Sequence, residues 1–208
     1  MKNLILFVMA LLMNTAVMAQ SSKMLLIVDA QYDFINGSLA VNGAPSTMQA
    51  LADYIKQQPK DAYQQIVLTS DFHPYNHSSF KDNGGMWPVH CVLYTHGAAI
   101  FQPVFDAVHE KQPEAVVLTK GEKIPVDEYS IMANSVSAKK LLKLIKQNKI
   151  TEIEVAGLCG DYCVGNTIKD LVAKGYGKNI VVLKKYIGNI DDGTVLNGII
   201  KDNNLKVK

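Results

Sequence analysis

EIEVAGLCGDYCVGNTIKDLVAKG, residues 152–175, passes from an apolar run into a helical pattern across a turn that holds two of the chain's three cysteines. An apolar run without polar alternation fits a strand buried on both faces, and a helix packed back over it fits the crossover of a parallel sheet. The pairing recurs on either side. Upstream, MLLIV (24–28) precedes PSTMQALADYIKQQ (45–58), QIVLTS (65–70) precedes a long loop, and AVVLT (115–119) precedes SVSAKKLLKLIKQ (135–147). Downstream, NIVVLKK (179–185) precedes GTVLNGIIKDN (193–203), and LKVK (205–208) closes the chain. Six strand runs alternating with helices predict an α/β chain: one three-layer (αβα) domain on a six-stranded, mainly parallel sheet.

The 208 residues suit one domain over 24–208 rather than two. All 21 Lys+Arg residues are lysine and the formal charge is +2, so no forked guanidinium contact is available for phosphate or a dianion. No nucleic-acid partner is expected, and no GxGxxG follows the first strand to hold a dinucleotide. Residues 1–19 have a cationic start, an apolar stretch from Leu4 to Met13 and small residues at Val17 and Ala19. That is the pattern of a cleaved export signal, predicting a periplasmic or secreted protein with no membrane attachment after removal. Cys91, Cys159 and Cys163 are too few for a disulfide framework.

What ends each strand carries the chemistry. Asp29 ends the first, Ser70 and Asp71 the second, Lys120 the third, and Leu158 to Cys163 follow the fourth. Ligands of open parallel sheets bind beyond the carboxyl ends of the strands, so four different chemistries converge on one edge. Asp161 has the type and position of an N-cap for the helix running to about Lys174, which sets Cys163 in its first turn, where amide dipoles lower a thiol to roughly pKa 3.5–7.5. Asp29 as base, Lys120 as cation, Cys163 as nucleophile and the backbone N–H groups of Cys159 and Cys163 as an oxyanion site form a complete acyl-transfer set. Asp71 and His73, two apart at a strand end, share a face, and His90 can close over them from WPVHC (87–91). Two imidazoles and a carboxylate make a three-ligand site with open positions for one divalent ion, zinc first, with iron and manganese also suited. His77 and His96 read as solvent-facing or supporting residues and His109 as surface.

LLIVDAQYDFINGSLAVNGA (25–44), SDFHPYNHSSF (70–80), WPVHCV (87–92), TKGEKIPVDEYS (119–130) and AGLCGDYCVGNTIKDLVAKGY (156–176) closely resemble, in order and spacing, the motifs of nicotinamidases. These are isochorismatase-like cysteine hydrolases with a Rossmann-like fold. The resemblance runs from about Met24 to the end. It implies hydrolysis of nicotinamide, and of pyrazinamide, with Asp29, Lys120 and Cys163 catalytic and Asp71, His73 and His90 binding the ion. It also implies Phe34 and Trp87 as walls for a flat ring, a cis peptide before Cys159, and Ser79 where some relatives have an additional ligand or a water-bridging residue. The loop reads CGDYC where ATDYC is expected, so a second thiol stands beside the first. The alternatives are another amidase or ureidase of the superfamily, an exported metal- or pyridine-binding protein without turnover, and a thiol redox protein. True isochorismatase chemistry is disfavoured by the lack of arginine. The oligomeric state stays open, a homo-oligomer included.

Overall fold

The computed structural model describes residues 22–208; the export signal read at 1–19 lies outside the described residues. Six strands form one sheet: β1 (Lys23–Val28), β2 (Gln65–Asp71), β3 (Val116–Lys120), β4 (Glu152–Leu158), β5 (Ile180–Gly188) and β6 (Lys206–Val207). Their order is β3-β2-β1-β4-β5-β6 and every pairing is parallel. The chain runs outward from β1 on one side and then returns to start again at β4, leaving a crevice between the carboxyl ends of β1 and β4.

The helices are α1 (Tyr32–Ile35), α2 (Ala44–Gln57), α3 (Gln102–Lys111), α4 (Ser135–Gln147), α5 (Cys163–Ala173) and α6 (Thr194–Asp202). Successive β1 side chains face opposite layers, as strand geometry demands. Leu25 and Ile27 join Met48, Leu51 and Ile55 of α2 and Val104 and Val108 of α3. Met24, Leu26 and Val28 join Leu141 and Ile145 of α4, Ile168 and Leu171 of α5, and Leu196 and Ile199 of α6. The sequence segments read as strands and helices thus take those forms. Two helices lie outside those segments: the four-residue α1, and α3 within the stretch read as a long loop after β2, with Pro103 in its first turn. A 10-residue helix with only three buried positions, Val104, Ala107 and Val108, gives a weak apolar stripe.

Two glycines let backbone pack where no side chain fits. Gly157 of β4 has φ +120°, and a Cβ there would lie 2.0 Å from the Val28 carbonyl oxygen of β1, at the crevice. Gly121, directly after β3, has φ +82°, and a Cβ would lie 2.4 Å from Cε1 of His73.

At the opposite end of the sheet the buried Glu154 of β4 accepts hydrogen bonds from Tyr63 Oη at 2.5 Å, Tyr54 Oη at 3.1 Å and Lys208 Nζ at 3.1 Å. This ties the last residue of the chain to a central strand. Glu154→Ala removes the short acceptor of the buried Tyr63 hydroxyl and leaves it only the longer contact to Tyr54 Oη at 3.3 Å, a loss of about 2 kcal/mol. Thermal denaturation should register a drop of about 4–8 °C. An unaltered Tm would show the carboxylate to be dispensable.

Candidate active site

Asp29 is the residue after β1, held at φ 46° and fully buried. Its backbone N–H donates to Thr69 Oγ1 at 3.2 Å, and Thr69 Oγ1 donates to Asp29 Oδ1 at 2.6 Å. The other oxygen, Oδ2, makes no aligned hydrogen bond and faces Lys120 Nζ at 3.0 Å as an ion pair. The same ammonium contacts Asp71 Oδ1 and lies 3.5 Å from Cys163 Sγ. Carboxylate oxygens of Asp29 and Asp71 and the Cys163 sulfur all lie within 4.8 Å of one another. β1, β2, β3 and the β4–α5 turn therefore bring together the acid, acid, lysine and thiol read from the strand ends.

The electrostatics of this knot follow from burial. Desolvation raises the Asp29 carboxyl above the usual carboxylate range, against the pull of Lys120. Burial also favours a neutral Asp71, but Lys120 and His73 together overturn that and hold it well below its ordinary range. Burial alone would discharge Lys120; Asp29 and Asp71 instead hold it firmly protonated. For Cys163 the outcome differs from the sequence expectation. Burial pushes the thiol well above its ordinary value, and Lys120 offsets this only in part. The sulfur is in the first turn of α5, yet it is buried at the floor of that turn, and desolvation is the largest influence on it. Cys163 rests as a thiol, and its proton needs an acceptor at the moment of reaction.

The turn itself also corrects an expectation. Asp161 does not cap α5; the N-cap is Tyr162, without a side-chain bond. The Asp161 carboxylate instead accepts from the backbone N–H of Ile190 and of Asp191, both at 3.0 Å. It clamps the loop after β5 onto the cysteine turn. The Leu158–Cys159 peptide is cis. The backbone N–H groups of Cys159 and Cys163 find no acceptor among the described residues, the latter because it opens α5. The three cysteines are free thiols and buried.

Beside the knot, donor atoms of Asp71, His73 and His90 lie within 4.8 Å of one another. His73 Nδ1 lies 2.9 Å from the Gly121 carbonyl and His90 Nδ1 lies 2.8 Å from the Pro88 carbonyl. A carbonyl only accepts, so each Nδ1 carries the proton and each Nε2 is left as a lone-pair donor. Burial lowers the His90 pKa and so favours neutral imidazole. On His73 burial acts the same way, but Asp71 prevails and raises it. The donor set and its outer hydrogen bonds fit a divalent metal ion.

His77 is fully buried and packs against His73 at a ring separation of 4.3 Å. It is neither solvent-facing nor a ligand. Its Nδ1 accepts from the backbone N–H of Ser79 and lies 2.7 Å from Ser79 Oγ, and its Nε2 lies 3.0 and 3.1 Å from the carbonyls of Lys123 and Val126. Both nitrogens are committed, and the Ser79 hydroxyl serves His77 rather than an ion. His96 is exposed and stacks on Tyr32, and His109 stacks on Phe105 at the surface.

A cavity of about 310 Å³, counting its mouth, opens over Asp71, His90, Cys159 and Cys163. Phe34, Trp87, Tyr129 and Tyr162 line it. Trp87 Nε1 donates to Tyr129 Oη at 3.0 Å, and the Trp87 and Tyr162 rings meet edge to face at 4.9 Å. Gln31 was also unread. Fully buried, it donates through Nε2 to the carbonyls of Asp71 at 2.7 Å and Ala98 at 2.9 Å, and accepts through Oε1 from the Asp71 N–H at 2.7 Å. The available signal was an uncharged amide lodged between Asp29 and Asp33 directly after a buried strand.

The arrangement suits attack by a sheltered thiol on a flat aromatic carboxamide. The chain matches the isochorismatase domain over residues 23–194. The nicotinamidase/pyrazinamidase of Mycobacterium tuberculosis is 34% identical over 169 residues, 77% of this chain and 84% of that one. The Pyrococcus horikoshii pyrazinamidase in complex with zinc superposes with a TM-score of 0.75 at 27% identity, covering 90% of this chain and 98% of that one. Yeast nicotinamidase bound to the inhibitor nicotinaldehyde gives 0.76 at 26%, covering 89% and 98%.

Proposed function

The chain belongs to the isochorismatase domain family, and from that premise we propose that it hydrolyses nicotinamide to nicotinate and ammonia through a thioester on Cys163. Pyrazinamide, a ring of the same shape with the same carboxamide, is a second substrate. The observation that carries the reading is the meeting of Cys163 Sγ and Lys120 Nζ at 3.5 Å with Asp29 at 3.0 Å from that ammonium, on the floor of an aromatic slot. The names of the relatives support the substrate.

Asp29 Oδ2 takes the Cys163 proton as the sulfur bonds to the carboxamide carbon, and the Lys120 ammonium stabilises the sulfur charge as it develops. The carbonyl oxygen gains charge within reach of the Cys159 and Cys163 N–H groups. Asp29 then returns its proton to the departing nitrogen, which leaves as ammonia. A water molecule enters, gives one proton to Asp29 and its hydroxyl to the thioester carbon; the C–S bond then breaks, Asp29 returns that proton to the sulfur, and nicotinic acid leaves and ionises to nicotinate. Phe34, Trp87 and Tyr162 hold the ring against the nucleophile, a positioning role. Asp71, His73 and His90 would hold the ion, zinc by the donor set and by the zinc-bound relative, and when bound it supplies a Lewis-acid anchor for the pyridine nitrogen. Export is part of the proposal, on the strength of the signal pattern read at 1–19.

Ammonia release from nicotinamide, pyrazinamide and an aliphatic amide, before and after chelation, tests the reading. Turnover of the two aromatic amides, falling by about 10²-fold or more on metal removal and returning with zinc, is the expected result. Turnover indifferent to chelation would indicate an amidase of another specificity, and nicotinamide binding without ammonia release would indicate a binding protein.

A further inference from the structure

Glu128 lies in the loop between β3 and α4, and only 2% of it is exposed although it carries a carboxylate. Its Oε2 accepts from the backbone N–H of Gly121 at 2.9 Å and from Asn134 Nδ2 at 2.9 Å, while Lys123 Nζ stands 3.8 Å from Oε1. Asn134 is itself fixed, because its Oδ1 caps α4 by accepting from Val136 and Ser137. Gly121 is the point at which two functional residues meet. It directly follows Lys120, and its carbonyl receives His73 Nδ1 at 2.9 Å. At φ +82°, with His73 pressed where a Cβ would be, Gly121 has no side chain of its own to hold this turn.

We propose that Glu128 is a positioning residue for the metal site: it fixes the Gly121 turn, and the turn fixes the His73 ring so that Nε2 faces Asp71 and His90. This rests on the reading of Asp71, His73 and His90 as metal ligands. A carboxylate that orients a ligating imidazole usually bonds the ring directly. Here the anchor acts one residue removed, on the amide side of the glycine whose carbonyl takes the ring proton. The arrangement leaves the imidazole bonded to a neutral carbonyl while an anion, buried on α4's capping residue, holds that carbonyl in place.

The test is the zinc affinity of the purified, metal-stripped protein, read by competition with a chromophoric chelator. It needs no turnover. Glu128→Ala should weaken zinc binding by about 10- to 100-fold, the range in which removal of a ligand's support acts. Glu128→Gln keeps an acceptor for the Gly121 N–H and should stay within a few-fold of wild type. His73→Ala is the control on the underlying reading. If it binds zinc as wild type does, the metal site itself is misplaced; if it loses zinc while Glu128→Ala does not, the site stands and Glu128 has no part in it. Should Glu128→Ala fail to fold, Glu128→Asp keeps the charge and shortens the reach by one methylene, and wild-type zinc affinity in that variant overturns the proposal.

Discussion

Cys163→Ala is expected to end ammonia release, with turnover down by about 10⁴-fold or more, the scale on which loss of a covalent nucleophile acts. The size follows from geometry. Cys159 does not stand in: it shares the cavity, but burial and Asp161 push its thiol well above its ordinary value, and the Lys120 contact belongs to Cys163. The aromatic walls do not depend on the sulfur, so nicotinamide should bind the variant with an affinity near that of the wild type. Single-turnover assays and ligand titration together check both halves. Residual turnover near the wild-type rate would remove Cys163 from the reaction.

Lys120→Met should have the next largest effect and should act on stability as well as rate. The thioether keeps the apolar stem and removes the ammonium that stands between Asp29 and Asp71. Two buried carboxylates are then left to face each other. Breaking a buried ion pair from one side costs about 3–5 kcal/mol, a fall of about 6–20 °C in Tm for a chain of this size. Turnover should fall by about 10³-fold or more, because the sulfur loses the ammonium 3.5 Å away as it ionises. A variant with both Tm and rate near wild type would mean that the ammonium neutralises nothing that matters.

The fold was legible where burial is two-sided. MLLIV and EIEVAGL read as strands because a strand covered on both faces needs no alternation, and β1 and β4 are buried almost throughout. Asp29, Asp71, Lys120 and Cys163 were legible for a topological reason: a parallel sheet places the residue after every strand on the same edge. α3 was not, since few of its positions touch the core. The misread roles share a cause. Asp161 has the residue type of a cap, but the neighbour that claims its oxygens is the Ile190–Asp191 backbone, nearly thirty residues on. His77 was left between a solvent-facing and a supporting role because sequence does not show that its two nitrogens are spent on Ser79 and on the loop carbonyls. Gln31 and Glu128 act on backbone groups that any residue would supply, so their partners leave no trace in composition. Cys163 was given too acidic a thiol because helix position can be read from spacing, whereas depth of burial depends on everything that closes over it.

That depth has a bearing on chemical selectivity. An enzyme that keeps a standing thiolate is exposed to every passing electrophile and oxidant, whatever substrate it serves. Here the sulfur is quiet until an acceptor, a cation and an incoming carbonyl are assembled around it, and only the first two are built in. Its reactivity is conditional on the guest. That reserve suits a chain that carries three free thiols, because oxidation follows thiolate character and exposure.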